Sequence, residues 1–142
     1  MIFKQIKPEE TYQLRLEVLK TSADYIYKYK GDFDDRTIHF AAFDHNAIIG
    51  IVTLMEQEHQ NFTGRQIQLR GMAVASSHQN KGIGAELIKK GITESKKRNA
   101  TTLWCNAREN AVEFYSKNGF KVKGERFFIE HVCFHYVMYK LL

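Results

Sequence analysis

The segment Gln79-Asn80-Lys81-Gly82-Ile83-Gly84-Ala85 joins a strand-like stretch of the sequence to a helical one. Glycines at positions 82 and 84 let the backbone turn tightly and bring its N–H groups close to a ligand. The helix that follows directs the positive end of its dipole at the same place, and this combination favours a phosphate group. From the segment alone a second interpretation stays open, in which the two glycines only ease the entry into the helix.

Two other glycine motifs do not match this segment. A P-loop requires Gly-Lys and then Ser or Thr after four spacer residues, and no such stretch is present. A dinucleotide fingerprint requires a third glycine where this chain has Leu87, and it normally follows its strand directly. Here the segment begins several residues after Val74. We therefore expect NAD and ATP to bind poorly.

The composition is that of one ordinary globular domain, residues 1–142. The chain is 44% hydrophobic and 26% charged, and its length is sufficient to bury a core without disulfides or metal ions. The net charge of +5 suits an anionic partner, such as a nucleic acid, a membrane surface or a polyphosphate cofactor. The sequence lacks the interleaved aromatic and basic pattern of an RNA-binding sheet and any recognition-helix signature, so we expect no nucleic-acid partner.

Neither a membrane segment nor a metal site is expected. The longest mostly apolar stretch, Ala47–Met55, is far shorter than the ~20 residues that span a bilayer, and no basic-then-apolar leader is visible. A cytoplasmic protein is the resulting expectation. Cys105 and Cys133 have no metal-ligand spacing and are expected to be reduced, and the histidines show no ligand spacing either.

Hydrophobic periodicity predicts an α/β chain in the order β-α-β-β-β-α-β-α-β-β, which favours a mixed sheet with helices on its faces. Pro8 opens the first helix, which is predicted to end at about Lys20, and Gly119 is placed to cap the last one. Residues 21–35 are predicted as a loop or a short helix. The predicted strands are 1–7, 37–43, 47–56, 66–74, 101–106, 120–124 and 132–140, and the two later helices are 82–98 and 109–118.

The sequence resembles the GNAT superfamily of N-acetyltransferases over nearly its whole length. The glycine segment matches the family motif Gln/Arg-x-x-Gly-x-Gly/Ala at Gln79, Gly82 and Gly84. The stretch Gly71-Met72-Ala73-Val74 precedes it, like the family's cofactor-contacting strand. The resemblance implies an α+β GNAT fold with a mixed central sheet of six to seven strands and about four helices.

A second group of residues carries the same resemblance further along the chain. Asn106-Ala107-Arg108 is followed by residues similar to the family's A-x-x-F-Y-x-x-x-G-F segment, namely Ala111, Phe114-Tyr115 and Gly119-Phe120. The two motifs occur in the family's order and at its separation. The C-terminal spacing Glu130…His135…Met138 is similar to that of a branch of small bacterial single-domain members.

The resemblance implies acetyl-coenzyme A as the acetyl donor. In such proteins the strand equivalent to 72–74 pairs with the pantetheine arm, and the strands equivalent to 66–74 and 101–106 splay apart to admit the acyl chain. Many members have asparagine at the position of Arg108, so the pantetheine contact there stays open, with Asn106 and Asn110 as alternatives. The implied cofactor-binding residues are Met72, Ala73, Val74, Gln79, Asn80, Lys81, Gly82, Ile83, Gly84, Ala85, Asn106, Arg108 and Asn110.

Acetyl transfer to an amine needs a neutral amine, a polarised carbonyl and a proton donor for the leaving thiolate. By its match to the family's tyrosine, Tyr115 is the implied general acid, and a helix tyrosine packed beside Phe114 is the alternative. The backbone N–H groups of Ala73 and Val74 are candidates for polarising the carbonyl. The candidate bases are Glu17, Glu130 and His135, for each of which a surface or structural role is the alternative.

The acceptor is predicted to be a primary amine of a small molecule or a peptide, acetylated by direct transfer from acetyl-coenzyme A. Asp32, Asp34 and Asp35 are candidates for attracting a cationic amine, and an exposed acidic loop without a ligand is the simpler interpretation. The alternative function is a non-catalytic acyl-CoA-binding module, which keeps the fold without the chemistry. A homodimer through the C-terminal strands is a further expectation.

Overall fold

One mixed sheet of seven strands is the framework of the computed structural model, which describes residues 1–142. The strands are β1 (Ile2–Ile6), β2 (Ile38–Asp44), β3 (Ala47–Met55), β4 (Gln66–Val74), β5 (Thr102–Arg108), β6 (Lys121–Ile129) and β7 (Cys133–Leu141). In space they are ordered β1-β2-β3-β4-β5-β7-β6. Every neighbouring pair is antiparallel except β4 and β5, which run parallel. The number of strands agrees with the predicted six to seven.

Three helices flank the sheet, one fewer than predicted. The helix α1 (residues 8–19) is irregular and consists of a 3-10 turn (Pro8–Thr11), an α-helical turn (Tyr12–Leu14) and a π-helical turn (Arg15–Leu19). The helices α2 (Ile83–Lys97) and α3 (Val112–Lys117) are regular. No helix is both long and apolar enough to cross a membrane.

Residues 21–35 form turns and bends, so the short helix considered for this segment is absent. Gly31 has a left-handed φ of 95°, and the Tyr29 N–H donates a hydrogen bond to Asp32 Oδ2 at 2.9 Å, which closes a turn in place of a helix. The sixth strand is also longer than predicted. Gly124, with a φ of 84°, lies where the register between β6 and β7 shifts, and it marks a bulge and not the end of the strand.

The larger hydrophobic core lies between the sheet and α2. Leu87 and Ile88 of this helix are buried there against side chains of β3 and β4. A smaller cluster on the opposite face of the sheet joins Leu14 of α1 to Ile51 and Ala73. Cys105 is buried, Cys133 is half-buried, and both are free thiols, as predicted.

A bulge in β4 changes which side chains face each layer. The register between β3 and β4 shifts opposite Gly71, which has a left-handed φ of 56°. Leu69, before the bulge, packs in the core beneath α2, and Met72, after it, packs against the same core. Ala73 instead joins the cluster beneath α1. The extra residue therefore reverses the alternation of faces at the point where the site begins.

Candidate active site

The strands β4 and β5 separate after three pairs of residues. Their parallel ladder joins Gln66–Gln68 to Thr102–Trp104 and ends there, whereas β5 stays paired with β7 as far as Arg108. From Leu69 onward, the edge of β4 that faces β5 therefore has no strand partner. We call this opening the fork. It corresponds to the splaying of strands that the family resemblance implies.

The end of β4 directs the Val74 N–H into the fork. The next residue, Ala75, donates its N–H to the Ile49 carbonyl oxygen on β3 at 2.8 Å. Because N–H groups alternate in direction along a strand, the Val74 N–H faces the fork and the Ala73 N–H faces β3. Of the two backbone groups predicted to polarise a carbonyl, only that of Val74 has the required direction.

Side-chain hydrogen bonds hold the glycine segment against the sheet. Gln79 Nε2 donates to the Val74 carbonyl oxygen at 3.0 Å. One residue earlier, His78 Nε2 lies 2.8 Å from Asp44 Oδ2 at the end of β2. The other oxygen of that carboxylate is 2.9 Å from Nδ1 of the exposed His45. These two hydrogen bonds lower the pKa of Asp44, and the bond from His78 has the larger effect. Gln79 thus has an observed structural contact, and its ligand contact stays a prediction.

The first turn of α2 presents unpartnered backbone donors. The first helical hydrogen bond runs from the Glu86 N–H to the Gly82 carbonyl oxygen at 3.1 Å. The N–H groups of the preceding residues, Ile83, Gly84 and Ala85, have no acceptor in the chain. Gly82 has a φ of 82°, and the space beside it is open. Asn80, with a φ of 61°, and Lys81 are exposed next to it. Free donors at the positive end of a helix form an anion-binding geometry.

The second glycine of the segment is needed for packing. A Cβ atom at Gly84 would lie 2.9 Å from Cζ of Phe114, closer than nonbonded carbon atoms approach. This differs from the expectation that both glycines serve the approach of the backbone to a phosphate. Gly82 fits that expectation, whereas Gly84 admits an aromatic ring of α3.

Tyr115 is buried between α3 and the sheet. Its ring makes edge-to-face contacts with Phe114 and Phe120, at centroid distances of 5.2 and 5.4 Å. The hydroxyl has no hydrogen-bond partner in the chain, and its oxygen keeps some exposure to solvent. Burial raises the pKa of Tyr115 well above its ordinary value, the Cys105 thiol adds to this rise, and Arg108 opposes it. The phenol is therefore protonated and free to donate to a ligand.

Arg108 is engaged by the chain itself. Its Nη2 atom donates to the Leu19 carbonyl oxygen at the end of α1 at 2.6 Å, and its guanidinium lies 5.8 Å from the centroid of the Tyr25 ring. An intramolecular partner therefore occupies the side chain that stands where many family members have asparagine. Asn106 is half-buried on β5, and Asn110 is exposed in the turn before α3.

The three candidate bases lie in different surroundings. Glu17 is exposed on α1 and accepts a hydrogen bond from a neighbouring glutamine, and the Glu130 side chain is 86% exposed at the β6–β7 turn. His135 is buried on β7, with Nδ1 2.7 Å from the Cys133 carbonyl oxygen. Because a carbonyl only accepts, Nδ1 carries the proton and Nε2 keeps a free lone pair. Burial lowers the pKa of His135, so its ring is neutral near pH 7.

A polar cavity of about 550 Å³ opens at the fork. The cavity is lined, on the sheet face opposite α2, by Gln68 and Arg70 of β4 and by Trp104 and Asn106 of β5. Its wall on the other side is formed by Lys30, Gly31, Asp34, Arg36 and Thr37. A smaller cavity of about 340 Å³ adjoins it at Asn106 and reaches β6. No group of three or more His, Cys, Asp or Glu side chains is arranged to bind a metal ion.

Comparison with known proteins identifies the family. A family model described as an acetyltransferase (GNAT) domain matches residues 5–141. The chain belongs to the GNAT acetyltransferase family. It is also 32% identical over 141 residues to the "Uncharacterized N-acetyltransferase YitI" of Bacillus subtilis (strain 168), an alignment that covers 98% of this chain and 95% of that protein.

Solved structures share the GNAT fold of this chain. An acyl-CoA N-acyltransferase from Pseudomonas aeruginosa has a TM-score of 0.80 and 17% identity, with 99% of both chains covered. An aminoglycoside 6'-N-acetyltransferase complexed with coenzyme A has a TM-score of 0.77 and 18% identity, with 99% of this chain and 97% of that one covered. The α+β GNAT fold predicted from the sequence is confirmed, and the family match makes the chain an acyltransferase of the GNAT type.

The GNAT domain also contains a buried polar network that the sequence analysis missed. The Arg15 guanidinium is fully buried and binds both carboxylate oxygens of Asp32, at 2.7 and 3.0 Å. It also donates to the Thr53 hydroxyl at 2.9 Å, and that hydroxyl lies 2.7 Å from His39 Nδ1. Asp32 is therefore a structural partner of Arg15 and not part of an exposed acidic loop. A charged residue on the buried stripe of α1, next to Leu14, is the signal that could have revealed it.

Arg70 is the second residue that sequence analysis of this GNAT chain missed. Its guanidinium lies 4.3 Å from the centroid of the Tyr29 ring, and that of Arg15 lies 3.7 Å from the same ring. The Tyr29 hydroxyl is hydrogen-bonded to that of Tyr25 at 2.5 Å. The alternation of Tyr25, Tyr27 and Tyr29 was the available signal, since aromatic residues at alternate positions indicate a packed surface. The stack holds this segment beside the fork.

Proposed function

We propose that this GNAT domain transfers an acetyl group from acetyl-coenzyme A directly to a primary amine of a small molecule or a peptide. The observation that carries the proposal is the fork between β4 and β5, which has free backbone donors of α2 at one end and a polar cavity on one face. Acetyl-coenzyme A, when bound, would supply the acyl group already activated as a thioester.

The residues around the fork fit such a donor. The N–H groups at 83–85 and the exposed Lys81 would hold the pyrophosphate, and the open surroundings of Gly82 leave room for it. The unpaired edge of β4 at Met72–Val74 would bind the pantetheine arm as a further strand. Asn106 and Asn110 remain candidates for hydrogen bonding to the amide groups of the pantetheine arm, because the side chain of Arg108 already donates to the Leu19 carbonyl oxygen.

The two proposed proton-transfer residues stand on opposite faces of the sheet. Tyr115 belongs to the core beneath α2. His135, the cross-strand partner of Arg108 on β5, lies on the other face of the sheet. This arrangement suits a donor and an acceptor that meet at the fork from different sides. The Val74 N–H, directed into the fork, would polarise the carbonyl between them.

We propose Tyr115 as the hydrogen-bond donor to the leaving sulfur. A thiol has a pKa of ~8.5 and an unperturbed phenol one of ~10, so complete proton transfer from tyrosine would be uphill by at least about 2 kcal/mol. The raised pKa of Tyr115 increases that cost. Its contribution is therefore a hydrogen bond that strengthens as negative charge develops on sulfur, while the proton itself comes from the amine.

We propose His135 as the base for the amine. A lysine-like amine has a pKa of ~10.4, so only about 1 in 2,500 is neutral at pH 7, which corresponds to about 4.6 kcal/mol. The free Nε2 lone pair of neutral His135 can accept this first proton of the ammonium group, directly or through water, and a second amine proton, released after attack on the carbonyl, passes to the sulfur. Glu17 and Glu130 stay candidates, but exposed carboxylates are weaker bases at neutral pH.

The test combines acetyl-coenzyme A binding by calorimetry with an assay of free thiol release over a panel of amines. Binding together with amine-dependent release would support the acetyltransferase. Binding without release for any amine would identify the alternative, a non-catalytic acyl-CoA-binding module. Absence of binding would overturn both.

The outer edge of the sheet presents apolar side chains to solvent. The strand β6 is the outer strand of the sheet, and it exposes Val122 and Phe128. We propose that the chain forms a homodimer through this edge together with β7, and that the protein is cytoplasmic. Light scattering of the wild type and of Phe128→Ser would test the interface, since a dimer that survives the substitution would place it elsewhere.

A further inference from the structure

We infer that the acceptor carries a carboxylate as well as the amine that is acetylated, and that Arg70 binds this carboxylate. The inference rests on the proposed function, because it concerns the acceptor of the same reaction. It commits the site to amino acids, short peptides or related amino carboxylates, and it disfavours polyamines.

Arg70 is a cation without an anion. The one polar contact of its side chain is from Nη1 to Met55 Sδ, a weak acceptor, at 3.9 Å. The guanidinium lies 4.3 Å from the centroid of the Tyr29 ring. Arg15 lies against the same ring, but its charge is matched by Asp32. The half-buried Arg70 therefore keeps a planar set of N–H donors free, and this geometry matches the two oxygens of a carboxylate.

The position of Arg70 connects it with the proposed reaction. It precedes Gly71 and the bulge of β4, and its side chain lines the cavity at the fork. Gln68 and Asn106, which also line that cavity, offer neutral amides, and Trp104 offers an apolar wall. An acceptor whose carboxylate binds Arg70 would therefore lie at the opening of the fork, on the face of the sheet away from Tyr115.

The carboxylates of the cavity are already engaged. Three cations and two carboxylates line it. Of the carboxylates, Glu56 lies within 4 Å of three arginines, at 2.7 Å from Arg65, 3.6 Å from Arg98 and 3.7 Å from Arg36. Asp34 accepts the backbone N–H of Arg36 at 2.9 Å, and its side chain is 57% exposed. A polyamine would therefore find an excess of positive charge and no free buried partner.

The experiment uses matched acceptors that differ only in the group expected to bind Arg70. Each amine is offered as the amino carboxylate, its carboxamide and its phosphonate, beside a polyamine, to the wild type, Arg70→Gln and Arg36→Gln. We expect kcat/KM to favour the carboxylate over the carboxamide by about 10- to 100-fold in the wild type, the usual size of a hydrogen bond to a charged group. The preference should disappear in Arg70→Gln and persist in Arg36→Gln, whose exposed side chain is already paired with Glu56.

A binding measurement separates this inference from the proposed function. Calorimetry of the amino carboxylates with the coenzyme A-saturated protein should show binding that Arg70→Gln loses, while its affinity for coenzyme A, which reports that the fold is intact, stays unchanged. Such binding without thiol release would support the inference and count against the proposed function. Equal use of carboxylate and carboxamide, preference for a polyamine or the phosphonate, or no carboxylate binding would overturn the inference.

Discussion

The ring of Phe114 packs on the backbone of Gly84 so closely that a Cβ atom at Gly84 would lie 2.9 Å from Cζ of the ring. This contact joins the N-terminus of α2 to α3, and Tyr115 follows Phe114 in the same helix. The proposed hydrogen-bond donor is thereby held in a fixed relation to the proposed phosphate site. The position of Tyr115 therefore depends on the packing of Phe114 against Gly84.

The first prediction tests this contact by a double-mutant cycle. Gly84→Ala should lower the free energy of unfolding by about 1–3 kcal/mol, because the added methyl group overpacks the site. In a Phe114→Leu background, where the ring is absent, the same substitution should cost markedly less. Urea unfolding of the four proteins gives the coupling energy, expected at about 0.5–3 kcal/mol. Additive effects would show that Gly84 is not required for the aromatic ring.

The second prediction concerns charge at Gly82. Asparagine and aspartate both tolerate the left-handed backbone, and open space would receive either side chain, so Gly82→Asn is the matched control for Gly82→Asp. We expect the aspartate variant to bind acetyl-coenzyme A at least about 10-fold more weakly than the asparagine variant, because like charges repel at the phosphate site. The difference should shrink as salt is raised. Equal affinities in calorimetry would refute the assignment of the pyrophosphate to this loop.

A third prediction uses the two histidines that share Asp44. His78 belongs to the loop before the glycine segment, whereas the His45 side chain is 94% exposed in the β2–β3 turn. His78→Ala should therefore weaken acetyl-coenzyme A binding by about 2- to 10-fold, the size of one modest hydrogen bond. His45→Ala should leave the affinity unchanged. If both substitutions have the same effect, the anchor to Asp44 does not position the loop.

Local patterns predicted much of the fold and where the candidate site lies in it. The glycine segment, the helix α2 and the splayed strands follow from short-range spacing or from the family resemblance that this spacing reveals. The pair Arg15 and Asp32 did not follow, because its members are 17 residues apart and meet only through tertiary folding. The unpaired charge of Arg70 was invisible for the same reason, since a sequence shows charges but not their partners. Gly124 looked like a strand end because a bulge and a terminus share the same residue type.

The fourth prediction is a pH dependence of stability. Burial lowers the pKa of His39 and of His135, so below their ordinary value of 6.5 the unfolded chain binds more protons than the native one. Their contribution to stability is complete above pH 6.5 and is lost as the pH falls through the native pKa values. The free energy of unfolding should therefore decrease between pH 7 and pH 5. His39→Gln should reduce this slope and the exposed His45→Gln should not; a slope that His39→Gln leaves unchanged would contradict the argument.

The last prediction concerns Tyr115→Phe, which removes only a hydroxyl that has no partner in the chain. Thermal stability and acetyl-coenzyme A affinity should survive, because the ring keeps its contacts with Phe114 and Phe120. Turnover should fall by about 10²-fold, at the low end of the range for general acids, because the high pKa of this phenol limits it to hydrogen-bond donation.

The split between kinetic constants decides which role Tyr115 has. A hydrogen bond that matters only as charge develops on sulfur lowers kcat and leaves the KM for acetyl-coenzyme A nearly unchanged. A hydroxyl that merely shapes the pocket would change KM and spare kcat. Tyr139→Phe is the matched control, because its ring packs on Phe62, away from Tyr115, and its turnover should equal that of the wild type. If Tyr115→Phe also turns over within about threefold of the wild type, well short of the ~10²-fold expected of a general acid, Tyr115 is a packing residue and the leaving sulfur needs no hydrogen bond from it.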